Sequence, residues 1–213
     1  RYEAVPGHPG LRNVVGHIPG RRPAVVVAAH YDTKDIPGFV GANDGASGTA
    51  AVLELARALR KAERPRGAPE IRFVFFDGEE ATDDARFLET GVRGSRAHAA
   101  RHADEIRALV LLDFVAEKGA MRIPREAGSD GALWERLREA ARRAGSGEAF
   151  PPGVVGEITD DHTPFTRRGI PAIDLIDFTF SCWHKRCDDL SAVSERSLDL
   201  TGEAVLELLR TWR

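Results

Sequence analysis

Two adjacent carboxylates, Glu79 and Glu80, directly follow an apolar segment that ends in Phe75 and Phe76. Side chains of adjacent residues at a strand end point in different directions. One carboxylate can therefore bind a metal ion while the other faces a substrate as a base. An acidic surface loop is the usual reason for two adjacent glutamates, but the aromatic residues that run straight into this pair weaken that explanation. The pair indicates metal-assisted acid–base chemistry.

A histidine and an aspartate two positions apart, His30 and Asp32, close another apolar segment. Both side chains can emerge on the same side of a strand end. An aspartate in this place can accept a hydrogen bond from a metal-bound imidazole and fix its tautomer. Considered alone, the pair is explained equally well by a surface histidine beside a turn.

Two single aspartates stand where metal ligands are expected. Asp44 lies in a glycine-rich turn before a helix, where a helix cap is the better explanation when the residue is taken alone. Gly45 and Gly48 allow the backbone of this turn to pass close to a bulky neighbour or a ligand. Asp113 follows the apolar residues 109–112. A carboxylate in such surroundings needs a metal or an ion-pair partner, because unpaired burial is costly.

Further ionisable residues come late in the chain. Asp160, Asp161 and His162 stand together in a loop. They form either a solvated turn or part of a site in which one aspartate shares a proton with another buried acid. His184 directly follows Trp183. This tryptophan is either a core residue or an apolar wall for a substrate.

The two cysteines, Cys182 and Cys187, flank His184 with four residues between them. They form a small disulfide in an exported protein, bind a metal, or stay reduced. Metal binding is disfavoured because the Cys-x-x-Cys spacing is absent. We expect the two cysteines to be close enough to form a disulfide, with Cα atoms within about 7 Å of each other. A secreted or periplasmic location is favoured over a cytoplasmic one.

The elements that must position these residues are predicted from hydrophobic patterning. Four apolar segments are predicted as buried strands, and three segments have helical periodicity. The strands are 24–29, 71–76, 108–114 and 172–176, and the helices are 50–61, 133–143 and 198–210. Strands that alternate with helices predict an α/β fold with a mostly parallel sheet covered on both faces. Ligands of such sheets bind beyond the carboxyl ends of the strands, where the ionisable residues follow here.

Length and composition fit a globular enzyme. The 213 residues, 42% hydrophobic and 30% charged, are enough for one domain with a sizeable core. The net charge of −3 provides no basic surface for nucleic acid. The chain has no run of about 18 apolar residues, which argues against a membrane-spanning helix. We expect one catalytic domain over residues 1–213 without a nucleic-acid or membrane partner.

These blocks, in this order, resemble the co-catalytic zinc aminopeptidases and their relatives, the animal-type and bacterial glutaminyl cyclases. The resemblance extends from Asn13 to the last residue and includes spacing and order as well as residue type. It implies the zinc-aminopeptidase-like (phosphorylase/hydrolase-like) fold, a three-layer α/β sandwich around a mostly parallel twisted sheet. It also implies peptide or protein N-termini as substrates.

Carried over residue by residue, the resemblance implies a metal site. The ligands of the primary zinc would be Asp44, Glu80 and His184. Glu79 matches the general base. His30 and Asp113 match the ligands of a second zinc in the aminopeptidases. Both positions also occur in cyclases, which typically bind one zinc, so they do not by themselves establish a second metal.

The remaining site residues are expected around these ligands. Asp160 matches a cyclase aspartate that pairs with the equivalent of Asp113, and the two would act in catalysis by sharing a proton. Asp32 and Asp161 are expected to contact the metal-binding side chains rather than the metal itself. The apolar wall of the substrate pocket is expected to comprise Trp183, Phe180 and Ile158.

Several features favour the cyclase branch over the aminopeptidase branch. Segments 30–34, 39–42 and 163–171 resemble cyclases, as does Trp183, and Asp160 stands where aminopeptidases generally have serine. Segment 13–20 resembles an aminopeptidase. The loop after Glu80 carries Ala85 and Phe87 instead of the tryptophan of animal cyclases, and Lys185 replaces the usual threonine after His184.

The prediction is a glutaminyl-peptide cyclotransferase that converts N-terminal Gln to pyroglutamate with release of ammonia and uses one zinc. The alternative is an aminopeptidase that hydrolyses the first peptide bond and uses two zincs.

Overall fold

The computed structural model of the chain describes residues 1–119 and 121–213. The strands are β1 (Tyr2–Ala4), β2 (Arg12–Ile18), β3 (Arg21–His30), β4 (Pro69–Phe76), β5 (Ile106–Asp113), β6 (Arg125–Glu126), β7 (Val154–Val155) and β8 (Ala172–Ile176). Six of them form one sheet in the order β1-β2-β4-β3-β5-β8, and β6 pairs with β7 separately. The four strands β4, β3, β5 and β8 run parallel, whereas β1 and β2 are antiparallel additions at one edge.

Helices cover both faces of the sheet. They are α1 (Ala46–Leu59), α2 (Phe87–Thr90), α3 (Arg93–His102), α4 (Gly131–Ala144), α5 (Thr163–Thr166) and α6 (Glu195–Arg210). Helices α1, α4 and α6 pack on one face, and α3 and α5 contribute to the core on the other. Within the two described ranges, no helix has the length and apolar character needed to cross a membrane.

Strand β3 shows how the sequence produces three layers. Val25 and Val27 pack in the core with α1, α4 and α6, whereas Val26 and Ala28 pack in the core with α3 and α5. Side chains alternate between the two faces of a strand, so a strand covered on both faces must be apolar at every position. The continuous apolar segments therefore reflect burial on both sides, and the predicted α/β fold with a mostly parallel sheet is confirmed.

The predicted elements agree with the observed ones except near their ends. The four predicted strands correspond to β3, β4, β5 and β8, and the predicted helices correspond to α1, α4 and α6, with ends that differ by at most four residues. The hydrophobic pattern does not predict α3, whose buried positions are small or polar: Gly94, Ser95, His98, Ala99 and His102. A helix without large apolar residues has no apolar periodicity to detect.

Candidate active site

Three side chains from separate loops meet beyond the carboxyl ends of the parallel strands. The Nε2 atom of His184 lies 3.4 Å from Asp44 Oδ2 and 3.4 Å from Glu80 Oε2. Ligand atoms around one tetrahedral zinc are about 3.3 Å apart when each is about 2.0–2.1 Å from the metal. Both separations from His184 match this value, and all three donor atoms lie within 4.8 Å of one another, so a single metal ion could bind all three.

A second group of donors adjoins the first. The Nε2 atom of His30 lies 3.4 Å from Asp44 Oδ1 and 3.4 Å from Asp113 Oδ1. Asp44 thus directs one carboxylate oxygen into each group, which is the arrangement of a bridging ligand. The sequence expectation that His30, Asp44 and Asp113 converge agrees with this geometry.

Several of these donor atoms are buried with no hydrogen-bond partner in the described part of the chain. They are His30 Nε2 and Asp44 Oδ2, and the second carboxylate oxygen of Glu80, Oε1, is also buried without a partner. Buried polar groups normally have a partner, and those that lack one call for an explanation such as an ion. The site also concentrates buried carboxylates around two imidazoles, which a cation would neutralise. The residues present therefore fit a metal centre.

The turn before α1 explains the position of Asp44. Helix α1 begins at Ala46, its N-cap is Gly45, and no side chain caps it. The alternative explanation of Asp44 as a helix cap is therefore wrong. Gly45 has a φ of 86°, and a Cβ atom there would lie 2.9 Å from the carbonyl oxygen of Asp32. Only glycine fits this position without strain, because other residues rarely adopt this backbone conformation.

Asp188 holds the same turn from the other side, and sequence reasoning missed it. Its buried carboxylate accepts hydrogen bonds from the backbone N–H of Asn43 at 2.7 Å and of Asp44 at 3.0 Å. Because both contacts are with backbone amides, no pairing of residue types in the sequence could reveal them. Its position four residues after His184 was the only signal.

Asp32 positions both the imidazole of His30 and the pair of glutamates. The His30 Nδ1 atom lies 3.1 Å from the Asp32 carbonyl oxygen and 3.6 Å from its carboxylate. The imidazole of His30 is therefore closer to the backbone carbonyl of Asp32 than to its carboxylate, whereas the contact considered from the sequence was with the carboxylate. The carboxylate accepts the backbone N–H groups of Glu79 at 3.2 Å and Glu80 at 3.1 Å. Asp32 thereby fixes the backbone from which the two glutamates diverge.

Glu79 faces the cavity at this edge of the sheet. Its side chain is buried, and burial together with the charge of Asp160 raises the pKa of Glu79 well above its usual value. A carboxyl group with a raised pKa accepts and returns a proton near neutral pH more readily than an ordinary glutamate. The environment of Glu79 suits acid–base chemistry.

Asp160 also lines this cavity and is buried, so it does not point to solvent. Burial and the nearby charge of Asp113 raise the pKa of Asp160 well above its usual value. Its neighbour Asp161 is completely buried, and burial raises the pKa of that carboxyl to about 7. The solvated-turn explanation for this segment is therefore wrong.

Asp174 is a buried acid that sequence reasoning missed. It lies in the middle of β8, inside a segment predicted only as an apolar strand. Burial and the charge of Asp160 raise the pKa of Asp174 well above its usual value. An aspartate within an apolar strand was the signal that could have identified it, because unpaired burial of a carboxylate is costly.

The loop that carries His184 is closed by a disulfide. Cys182 and Cys187 are bonded, with Cα atoms 5.4 Å apart, which confirms the predicted proximity of the two residues. His184 has a positive φ of 51°. Non-glycine residues adopt such a conformation only when their surroundings impose it. The Trp183 ring stacks on the imidazole with centroids 4.7 Å apart.

Replacing both cysteines, Cys182→Ser together with Cys187→Ser, is expected to weaken metal binding and lower thermal stability. A closed loop of this length stabilises by about 2 kcal/mol through the unfolded state. The expected decrease in melting temperature is about 4–8 °C. Calorimetry and metal analysis of the variant measure both effects. An exposed serine replacement, Ser191→Ala, is the control, and unchanged melting and metal content in the double variant would contradict the role of the disulfide.

A cavity of about 400 Å³ opens over the donor groups. Its apolar lining includes Phe87, Phe114, Ile158, Phe178 and Trp183. At its mouth the rings of Phe178 and Trp183 have centroids 5.0 Å apart, and both are about half exposed. The cavity therefore combines an acidic floor with an aromatic rim.

The predicted apolar wall requires one correction. Ile158 and Trp183 line the cavity, but Phe180 does not. Phe180 is buried behind the wall, where its ring centroid lies 6.0 Å from that of Phe114. Phe178 takes the expected place, because the turn after β8 directs its ring outward.

Residues 13–209 match the sequence pattern of the family described as Peptidase family M28. This match covers most of the chain. The chain belongs to peptidase family M28. The sequence resemblance to zinc aminopeptidases and glutaminyl cyclases is thereby confirmed.

The M28 chain is similar to proteins of both branches. It is 31% identical to the glutaminyl-peptide cyclotransferase of Drosophila melanogaster over 93% of this chain and 64% of that protein. It therefore spans about two thirds of the length of that curated relative. A glutaminyl cyclase from an Acidobacteriales bacterium is 33% identical, with a TM-score of 0.83, 94% of this chain covered and 73% of that one.

A leucine aminopeptidase precursor from Bacteroides thetaiotaomicron VPI-5482 has the same fold. It is 27% identical to the M28 chain, with a TM-score of 0.85 and coverage of 95% of this chain and 77% of that one. Cyclases and an aminopeptidase therefore share this architecture, and the fold alone does not distinguish the two reactions.

Proposed function

We propose that this M28 chain is a zinc-dependent glutaminyl-peptide cyclotransferase, which converts N-terminal Gln of peptides or proteins to pyroglutamate and releases ammonia. The observation that carries the proposal is the burial of Asp160 in the site, close enough to Asp113 for the charge of Asp113 to contribute to the raised pKa of Asp160. A hydrolase with a metal at Asp113 has no clear use for this second acid. The similarity to curated glutaminyl-peptide cyclotransferases supports the proposal.

The primary zinc is assigned to Asp44, Glu80 and His184, whose donor atoms have the separation of ligands on one ion. When bound there, zinc supplies Lewis-acid polarisation of the γ-carboxamide carbonyl of the substrate.

The single catalytic domain that we infer for residues 1–213 is supported by the two cores on opposite faces of one sheet.

The acid–base steps fall to the carboxyl groups of the chain. Glu79 accepts a proton from the α-amine of the N-terminal Gln, and the amine nitrogen attacks the side-chain carbonyl carbon of the same residue. The C–N bond to the carboxamide nitrogen then breaks, and Glu79 returns the proton to the departing ammonia. Asp113 and Asp160 share a proton and hold the leaving nitrogen.

The rim of the cavity positions the substrate. Phe178 and Trp183 provide aromatic surface at the mouth, where the residues after the N-terminal Gln would lie.

The disulfide between Cys182 and Cys187 supports a secreted or periplasmic location, because such bonds persist in oxidising compartments.

One observation favours a second candidate function, that of an aminopeptidase with two zincs. The group formed by His30, Asp44 and Asp113 has the same 3.4 Å donor separation as the primary group. In that reaction His30 and Asp113 would hold a second zinc together with the shared carboxylate of Asp44, and Glu79 would accept a proton from water. The similarity to a leucine aminopeptidase precursor supports this alternative.

Two peptides that differ only in their first residue test the proposal. The zinc-loaded protein is incubated with a Gln-initiated peptide and a Leu-initiated peptide, and the products are weighed by mass spectrometry. We expect loss of one ammonia from the first peptide and no change in the second. An N-acetylated Gln peptide, which has no free amine, is the control. Release of free Leu, without ammonia loss from the Gln peptide, would instead establish the aminopeptidase.

A further inference from the structure

A second set of metal-type side chains lies outside the candidate active site, where strand β1 packs near helix α3. The set is Glu3, His98 and His102, all of them buried. The two histidines are four residues apart on α3 and therefore share one face of the helix. One donor atom from each of the three residues lies within 4.8 Å of the other two.

The two imidazoles converge on one carboxylate. His98 Nδ1 lies 2.8 Å from Glu3 Oε2, and His102 Nε2 lies 3.2 Å from Glu3 Oε1, which are hydrogen-bond distances that a bound zinc would widen to about 3.3 Å. The imidazole centroids are only 4.7 Å apart. A carboxylate and two imidazoles are a ligand set used by protein-bound zinc.

A further carboxylate orients one of the histidines. His102 Nδ1 lies 3.2 Å from Glu105 Oε1. A carboxylate on the outer nitrogen of a metal-binding histidine fixes the tautomer in which the inner nitrogen offers its lone pair. With Nδ1–H donated to Glu105, the lone pair of Nε2 faces an oxygen of Glu3. A lone pair on His102 Nε2 and a carboxylate oxygen of Glu3 repel each other at 3.2 Å unless a proton or a cation lies between them.

We propose that Glu3, His98 and His102 form a structural site for a divalent transition metal of the Zn²⁺ or Ni²⁺ type. Imidazole nitrogen suits these ions. All three side chains are buried, so a bound ion would be largely shielded from solvent. A bound ion would join β1 to α3 and so fix the edge of the sheet, because metal binding to a folded site stabilises the fold.

The competing explanation is a network of ion pairs without metal. In that case His98 and His102 hydrogen-bond to the Glu3 carboxylate directly, and the guanidinium of Arg1, 3.0 Å from Glu3 Oε1, adds a positive charge. Both explanations expect His98 and His102 to stabilise the protein. They differ in whether a metal ion is bound.

Metal content distinguishes the two explanations. Wild type, His102→Gln and Glu3→Gln are dialysed against buffered Zn²⁺, and zinc per chain is measured by elemental analysis. We expect one equivalent less in both variants than in wild type, with cyclisation of Gln peptides retained. His17→Gln, an exposed histidine on β2, is the matched control and should keep the full content. Equal zinc content in all four proteins overturns the proposal.

A second measurement needs no variant, in case the substitutions prevent folding. Wild-type protein stripped of metal by chelation receives Cu²⁺ in an amount sufficient to fill this site and the candidate active site, and its electron paramagnetic resonance spectrum is recorded. Each donor group of the candidate active site contains a single histidine, whereas this site contains two. We expect coupling to two imidazole nitrogens. Coupling to one nitrogen or to none overturns the proposal and leaves the proposed cyclase function unaffected.

Discussion

Replacing Glu79 with glutamine is expected to lower turnover on Gln-initiated peptides by about 10² or more while zinc stays bound. The substitution preserves the shape of the side chain and removes its ability to exchange a proton. Because a base must be deprotonated, wild-type turnover should rise as the pH increases through the pKa of Glu79. That limb of the pH profile should be lost in Glu79→Gln.

The control for this variant is Glu89→Gln, an exposed glutamate on α2. Its turnover and zinc content should equal those of wild type. Steady-state kinetics and elemental analysis measure both properties. If Glu79→Gln loses its zinc together with its activity, Glu79 is a ligand and the proposed division of roles with Glu80 is wrong.

Replacing Asp160 with serine is expected to abolish cyclisation, with a loss of at least about 10², while the primary zinc is retained. With a single zinc at Asp44, Glu80 and His184, the carboxylate of Asp113 has no metal to compensate it. A neighbouring acid that shares a proton provides this compensation. Serine at this position removes the shared proton and the hold on the leaving nitrogen.

Asp104→Ser, an exposed aspartate beyond α3, is the matched control. Ammonia release and zinc content are measured for both variants. The cyclase proposal fails if Asp160→Ser cyclises Gln peptides at the wild-type rate. It also fails if Asp160→Ser and wild type both hydrolyse Leu peptides and hold two zincs at the active site.

The sheet and the location of the site could be predicted because they depend on burial, which leaves a pattern in the sequence. Residues 24–29 of β3 and 108–112 of β5 are all apolar, since both faces of the strands are covered there. Parallel strands then bring His30 and Asp113 to one edge without any need to know the loops. The roles assigned to these residues stay predictions until the variants are measured.

The parts that could not be predicted depend on backbone conformation in loops. Asp188 acts through backbone amides, and any residue type can supply those. Phe178 and not Phe180 lines the cavity because of how the chain turns after β8. Since both residues are phenylalanine, residue type could not show which of them would face the cavity. At Phe114 and His184 the backbone has a positive φ, which sequence propensity disfavours. Such conformations are set by the surrounding contacts.

Because Asp44 directs one oxygen into each donor group, ions in the two groups would not bind independently. A cation in the first group would withdraw electron density from the carboxylate that the second group also uses. By thermodynamic reciprocity, the factor by which the first ion changes the affinity for the second is the same in the opposite direction. The proportion of singly and doubly loaded protein then depends on the free metal concentration in the surroundings. Metal supply, and not only sequence, would set which form of the protein a cell or a purification contains.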